Sequence, residues 1–482
     1  MGPDFRNFAD IVPGIMFVWG PCMKRRDFLK LAGAGVAAGI VDAETTAASI
    51  RLGEAVRSHD VVVIGAGLAG LAAAQRLRAQ GSDVMLLEAR DRIGGRIWTS
   101  THWTDAPLDL GASWIHGTRG NPLAALADRI GAKRVSTSHD RSLIHDTDGG
   151  HLSGQREVEL EGLRADLFRA LERAQTVEPD RSVQQVADAL LDADASDDTR
   201  RLQAFLLSGA IEQEYAGAAH ELSAHEYDNS DAFGGDDAVF VDGYRTLVAH
   251  LARDLHVATE RVVREIDWQS SPVRISVRGE HGDENYLAKR ALITLPLGVL
   301  KAGHVRFTPE LPDDKRAAIA DLGMGVLNKC YLRFAEAFWP ADVDWIEYIP
   351  ERPGEWTEWV SFMRTLKVPI LLGFNAADRG REIETWSDER IAEDAMRTLR
   401  TMYGPSIPTP VDVQITRWAS DPYALGSYSF HPVGTTPAMR RALARPLDKL
   451  LYFAGEATEQ RYFSTAHGAY LSGLRAAKEI WS

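Results

Sequence analysis

Residues 59–89, HDVVVIGAGLAGLAAAQRLRAQGSDVMLLEA, restrict the fold of this chain more than any other stretch. VVVI is a short, wholly apolar run of the kind that a parallel sheet buries on both faces. LAGLAAAQRLRAQ keeps helical spacing, Gly81 stops that helix, and VMLLE returns as a second strand. Between strand and helix stands Gly65-Ala-Gly67-Leu-Ala-Gly70. Such a triplet is weak alone, but this setting gives it a mechanism. Gly65 makes the turn, Gly67 lets a pyrophosphate approach the backbone, and Gly70 packs helix on strand. The helix N-terminus adds amide donors and a partial positive charge. Glu88 closes the second strand about 20 residues on, where a carboxylate accepts from ribose hydroxyls and disfavours a 2′-phosphate. The pattern predicts an α/β fold with a Rossmann-like dinucleotide domain.

With 482 residues, 45% of them apolar, the chain is long enough for two or three domains with sizeable cores. Residues 158–207 are rich in amphipathic helix, RVVREIDW, VRISVRG and ALITLPLG read as strands, and the last segment is again strand, loop and helix. Lys+Arg 54 against Asp+Glu 68 gives a net charge of −14, which argues against nucleic acid and anionic membrane surfaces and favours a cationic ligand. Cys22 and Cys330 are the two cysteines, so neither a disulfide framework nor a cysteine metal site is expected, and no metal is. No apolar run is long enough to span a bilayer, so no stable membrane association is expected.

Residues 1–48 read as a leader rather than fold. MKRRDFLKLAGAGVAAGIV (23–41) has paired Arg25 and Arg26, a short Gly/Ala-rich apolar core, then small residues around TAAS. This resembles a twin-arginine export signal, which predicts a periplasmic or secreted protein and translation from Met23.

Directly after Glu88 comes ARDRIGGRIWT, with Arg90, Gly94, Gly95 and Arg96. A second glycine pair with a cation suits the far side of a pyrophosphate next to a flavin, and this run resembles the GGR element of the flavin-containing amine oxidase family. The likeness continues through LDLGASWIHGTRGNPLAALADRIG (108–131), ALITLPLGVLK (291–301), GVLNKCYLRFAEAFWP (325–340), TRWASDPYALGSYSF (416–430) and YFAGEATEQRYFSTAHGAYLSGLRAAKEI (452–480). It is most like polyamine and spermine oxidases, with a core similar to that of lysine-specific demethylases. The resemblance implies a GR2-type FAD-binding domain over 57–137, 236–306 and 418–482, and a discontinuous α+β substrate domain over 138–235 and 307–417. It also implies FAD, held without a cysteine linkage, since neither cysteine falls at the tethering position of monoamine oxidases.

Lys329 lies within a strand-like run. By alternation alone Leu327, Lys329, Tyr331 and Arg333 make a half-polar outer face opposite Val326, Cys330, Leu332 and Phe334. The resemblance implies the opposite, a buried lysine bonding a water at flavin N5. It further implies that Glu456 bonds a ribityl or ribose hydroxyl and that Thr465 and Ala466 start a helix near the pyrimidine ring. Val263 contacts adenine through its backbone, and Gly111, Ala112, Ser113 and Trp114 line the flavin side. Trp418 and Tyr428 wall the substrate side, and His116 lies near the substrate amine. Many relatives hold the amine between two aromatics; here the second position is Thr465, which leaves the cage half open. Glu212 and Glu214 are candidates for a distal ammonium.

The activity implied is oxidation of an amine, most like a polyamine. Hydride passes to flavin N5, giving an aldehyde, a smaller amine and, with molecular oxygen as acceptor, hydrogen peroxide. An L-amino-acid oxidase needs a cation for the substrate carboxylate, yet after the GGR element no arginine appears until Arg119. A monoamine oxidase and a flavin-bearing scaffold are the other readings. Oligomeric state is left open.

Overall fold

The computed structural model describes residues 58–280 and 282–482; the leader with Arg25–Arg26, and Cys22, lie outside the described residues. In chain order the elements that build the site begin with β1 (Ser58–Ile64), α1 (Leu68–Ala79), β2 (Val84–Leu87) and β3 (Ser142–His145). Two helices come next, α2 (Gly154–Ala174) and α3 (Asp197–Leu207), the latter running into a π-helical turn over Ser208–Gln213. After them stand β4 (His256–Ala258), β5 (Val262–Asp267), β6 (Val273–Gly279), β7 (Gly282–Ile293) and β8 (Arg306–Thr308). Then β9 (Leu327–Arg333), β10 (Trp345–Tyr348), β11 (Glu358–Ser361), β12 (Ile370–Ala376) and β13 (Asp412–Ile415) precede β14 (Leu451–Phe453) and the last helix, α4 (Ala466–Trp481).

Two sheets organise these elements. The first has eight strands in the order β8–β5–β6–β7–β1–β2–β4, with β14 pairing the C-terminal part of β7. Strands β14, β7, β1, β2 and β4 are mutually parallel, whereas β6 joins the first half of β7 antiparallel. The parallel part buries both faces, as the VVVI run requires, because α1 and α4 pack on one side and Ile319, Leu322, Leu443 and Leu447 cover the other. The second sheet has six strands in the order β13–β9–β12–β11–β10–β3. Its two faces are covered by different apolar clusters, one containing Cys330, Leu332 and Phe334 and the other Tyr331, Leu372 and Phe374. Strand alternation in β9 is therefore real, but the half-polar outer face is not. Lys329 is only 5% exposed and Tyr331 is fully buried, because Trp103, Leu108 and Leu110 cover the side that alternation alone would leave to solvent.

Candidate active site

A cavity of about 1130 Å³ is lined from both sheets. One end is the glycine turn. Gly67 is the N-cap of helix α1 and supplies no side-chain cap, so the helix's first amides are free for an anion. A Cβ on Gly70 would sit 2.0 Å from the carbonyl oxygen of Gly65, so only glycine lets the helix reach the turn. Gly94 and Gly95 close over the same loop with positive φ, 98° and 60°, and Gly67 bridges Gly94. Glu88, 6% exposed, accepts from the amides of Ala66 and Arg90 at 2.8 and 2.9 Å. It thus braces the turn with one lone pair of each oxygen while also lining the cavity. Arg90 is locked in a two-pronged pair with Asp421 at 2.9 and 2.7 Å. Val263, on β5, lines the same end.

In the middle Arg96 donates to Glu456 at 2.8 Å, and Glu456 also accepts from the hydroxyl of Ser429 at 2.6 Å. Burial works against the charged form of Glu456, but Arg96, Ser429 and the buried Arg440 outweigh it and hold the carboxyl below its usual range. Gly111, Ala112, Ser113, Trp114, Trp418 and Tyr428 all line this region, as do Thr465 and Ala466 at the start of α4. Thr465 caps that helix by accepting from the amide of Gly468. The Lys329 ammonium donates to the carbonyls of Asp109 and Gly111 at 2.9 and 2.7 Å and to the hydroxyl of Ser113 at 2.5 Å. All three of its protons therefore have protein acceptors, so a water can share that ammonium only if one of these bonds loosens. Burial pushes the Lys329 pKa down and that of nearby Asp109 up, each by desolvation of the charged form.

Sequence reasoning missed the groups that hold these in place. Asp109 accepts from the Tyr244 amide at 3.0 Å and from the hydroxyl of Thr99 at 2.5 Å. Asn328 accepts from the Trp418 amide at 3.0 Å and donates to Glu384 at 2.6 Å, which sets the aromatic wall beside the lysine. The NK pair was the only local signal, and it spoke for the lysine alone. His116 pairs with Asp237 at 2.8 Å, a partner on the far side of 121 residues of sequence. The crowded cavity mouth works against His116 charging although its side chain is half exposed, but the bond to Asp237 and the charge of Glu214 prevail and raise its pKa.

The other end of the cavity is acidic. Glu214 lines it, but Glu212 does not: its carboxylate turns back to accept from the Ala219 amide at 3.0 Å. Burial pushes Glu212 up to about 7. Tyr428 hydrogen-bonds the Gln213 carbonyl at 2.9 Å, tying the π-helical turn to the aromatic wall. Glu347 and Glu358, neither of them singled out from sequence, also face the cavity. Cys330 is buried, on the face of β9 away from it.

The profile of the "Flavin containing amine oxidoreductase" family matches residues 68–481. The chain belongs to that family. Polyamine oxidase 2 of Arabidopsis thaliana is 32% identical over 443 residues, 88% of this chain and 88% of that protein. Polyamine oxidase 3 of Oryza sativa subsp. japonica is 34% identical over 446 residues, 89% of this chain and 91% of that protein. Lysine-specific histone demethylase 1 homolog 3 of Oryza sativa subsp. indica is 35% identical over 448 residues, but only 54% of that protein is covered. The solved structure of putrescine oxidase bound to putrescine shares the fold, with TM-score 0.73 and 20% identity over 88% of this chain and 99% of that one. The chain is thus a flavin-containing amine oxidase of α/β fold whose cofactor is FAD. The donors seen fit that group: free helix amides and bare glycine backbone stand where a pyrophosphate belongs, and the cavity has room for a dinucleotide and a substrate.

Proposed function

We propose that this amine oxidase acts on a polyamine, releasing an aldehyde, a smaller amine and hydrogen peroxide with oxygen as acceptor. The observation that carries the reading is one cavity with Lys329 and an aromatic wall at its centre and carboxylates beyond them. Bound FAD supplies the two-electron acceptor for the hydride of the amine's α carbon. The glycine turn, Glu88, Arg96 and Glu456 would hold that cofactor. Trp418 and Tyr428 hold the substrate flat, and the Tyr428 hydroxyl stays protonated because burial pushes its pKa well above the ordinary value. Lys329, bonded to Asp109, Gly111 and Ser113, would place its amino group near the reacting atoms and offer a proton to a water there when one of those bonds loosens. His116, held by Asp237 and facing Glu214, is a polar contact for the substrate nitrogen, and with Thr465 as the opposite wall a secondary amine has room. Membership of the two large sheets supports dividing the chain into an FAD side over 57–137, 236–306 and 418–482 and a substrate side over 138–235 and 307–417, except that β8 and the segment up to Leu322 pack with the first sheet and move the 306/307 boundary to about 322. The paired Arg25–Arg26 followed by a short apolar core supports export by the twin-arginine route.

A peroxide-coupled panel of spermine, spermidine, their acetyl forms, putrescine, monoamines and amino acids tests the reading. Polyamines are expected to give the highest kcat/KM; a preference for amino acids would replace it with an L-amino-acid oxidase. The reacting amine must be neutral, so kcat/KM is expected to rise from about pH 6 to about pH 10 as it loses its proton, and a flat profile refutes that step.

A further inference from the structure

One guanidinium behind the cavity wall is fully buried and has no carboxylate of its own. Arg440 lies on the helix Pro437–Ala444, and its relative exposure is 0%. While Leu443 of that helix joins the core under the first sheet, Arg440 reaches toward the FAD side. Its Nε donates to Nε2 of His431 at 2.8 Å. One Nη donates to the hydroxyl of Ser429 at 2.8 Å and to the Ala457 carbonyl at 3.2 Å. The other Nη is buried without a hydrogen-bond partner. The guanidinium carbon stands 4.2 Å from the ring centre of Phe463. Burial pulls the Arg440 pKa down to about 10, and Glu456, Glu226 and Glu459 oppose that only as charges at a distance.

Nothing bonded to Arg440 neutralises it. The Nε of arginine always carries hydrogen, so Nε2 of His431 must accept, and the ring's own proton sits on Nδ1. That proton goes to the Thr435 hydroxyl at 3.0 Å, whose hydrogen goes in turn to the Pro432 carbonyl at 2.8 Å. Burial and then the charge of Arg440 push His431 down to about 3, so it stays neutral. Ser429 accepts from Arg440 and passes its own hydrogen to Glu456 at 2.6 Å, while the other oxygen of Glu456 accepts from Arg96 at 2.8 Å. Two guanidiniums thus surround one carboxylate, which leaves one positive charge over. Arg96, Glu456 and Phe463 line the cavity, and Arg440 stands directly behind them. A neutral amide would serve Ser429 or Ala457 equally well as a donor. What a guanidinium adds is charge, held where low dielectric carries its effect further than in water, and an unpaired buried charge is costly enough to call for a reason.

We propose that Arg440 is a positioning residue for the redox step: through Ser429 it holds the carboxylate of Glu456 in place, and its own charge leaves the cofactor cavity one unit positive, so that bound FAD is more readily reduced. A hydride brings two electrons and one proton, and the flavin ring that receives it gains one negative charge. A fixed cation nearby stabilises that product relative to the oxidised ring. The inference rests on FAD as cofactor and holds whichever amine is oxidised.

The test measures the reduction potential of the holoenzyme by anaerobic dye equilibration, and its affinity for sulfite, an anion that adds to electron-poor oxidised flavin. Wild type is compared with Arg440→Gln and Arg440→Lys. Arg440→Gln is expected to weaken sulfite binding about tenfold and to lower the two-electron equilibrium about tenfold, equivalent to about 30 mV. Arg440→Lys, which keeps the charge, is expected to stay near wild type in both. A glutamine variant with wild-type potential and sulfite affinity overturns the proposal. So do glutamine and lysine variants that fall equally, since hydrogen bonding rather than charge would then be responsible. If Arg440→Gln does not retain FAD, Ser429→Ala decides: it cuts the link to Glu456 and is expected to lower the same equilibrium about threefold, and an unchanged potential there overturns the proposal.

Discussion

The two ends of the cavity are built on opposite principles. From the nucleotide end to the boundary at Lys329, the charged side chains already have protein partners, and only backbone amides are left free toward the cavity. Glu88 accepts two amides, Arg90 grips Asp421, Arg96 pairs with Glu456, and Lys329 spends three donors on Asp109, Gly111 and Ser113. At the acidic end Glu347 and Glu358 face each other, and the side-chain oxygen of Gln213 has no partner. A resident cofactor is met by a rigid, internally satisfied cradle whose free donors are backbone amides. The acidic end instead keeps groups whose needs the chain leaves unmet, and its buried, opposed carboxylates hold their protons more tightly than usual because ionising both is costly.

The comparison breaks most visibly at Gly70. A methyl group there meets the Gly65 carbonyl oxygen at 2.0 Å and the Thr294 hydroxyl at 3.1 Å, so Gly70→Ala is expected to give protein without flavin absorbance. A yellow variant with ordinary FAD content would show that the cradle yields. Lys329→Met sits on the boundary between the two ends. It should slow flavin reduction by about a hundredfold or more while FAD stays bound, measured by anaerobic stopped-flow; unchanged reduction would remove Lys329 from the chemistry.

The smallest effect sharpens the contrast from the acidic end. Glu212 has its pKa raised from 4.5 to about 7, so the folded state holds its proton more tightly than the unfolded one. Its contribution to stability is full below about pH 4.5 and is lost as pH rises through about 7. Glu212→Gln keeps an acceptor for the Ala219 amide and removes that loss, so thermal unfolding at about pH 8 should show a gain of about 1–2 kcal/mol that vanishes near pH 4. An equal change at both pH values would mean that the carboxylate is not strained.

Legibility from sequence divides along the same line. Gly65, Gly67, Gly70 and Glu88 were legible because their geometry is local: strand, turn and helix are consecutive, and the spacing alone says which backbone meets a phosphate. Lys329 was ambiguous by alternation. The family resemblance, not the alternation, pointed to a buried lysine, and the packing of Trp103, Leu108 and Leu110 over its face is the physical reason that it is buried. Glu212 and Glu214 could not be told apart, since the π-helical turn over Ser208–Gln213 inserts a residue into the helical count and rotates the side chains beyond it. Asp237, the partner of His116, comes from a remote strand that no spacing rule reaches.

By itself, then, the order of residues determined an α/β nucleotide fold, its glycine turn and the family signature, because each depends on contacts between near neighbours in the chain. The tertiary structure alone decided that Glu347 and Glu358 stand opposite each other in line with Lys329. That alignment comes from the register of four strands whose pairing is set by packing on both faces of the sheet, and a one-residue slip would turn either acid to the other face.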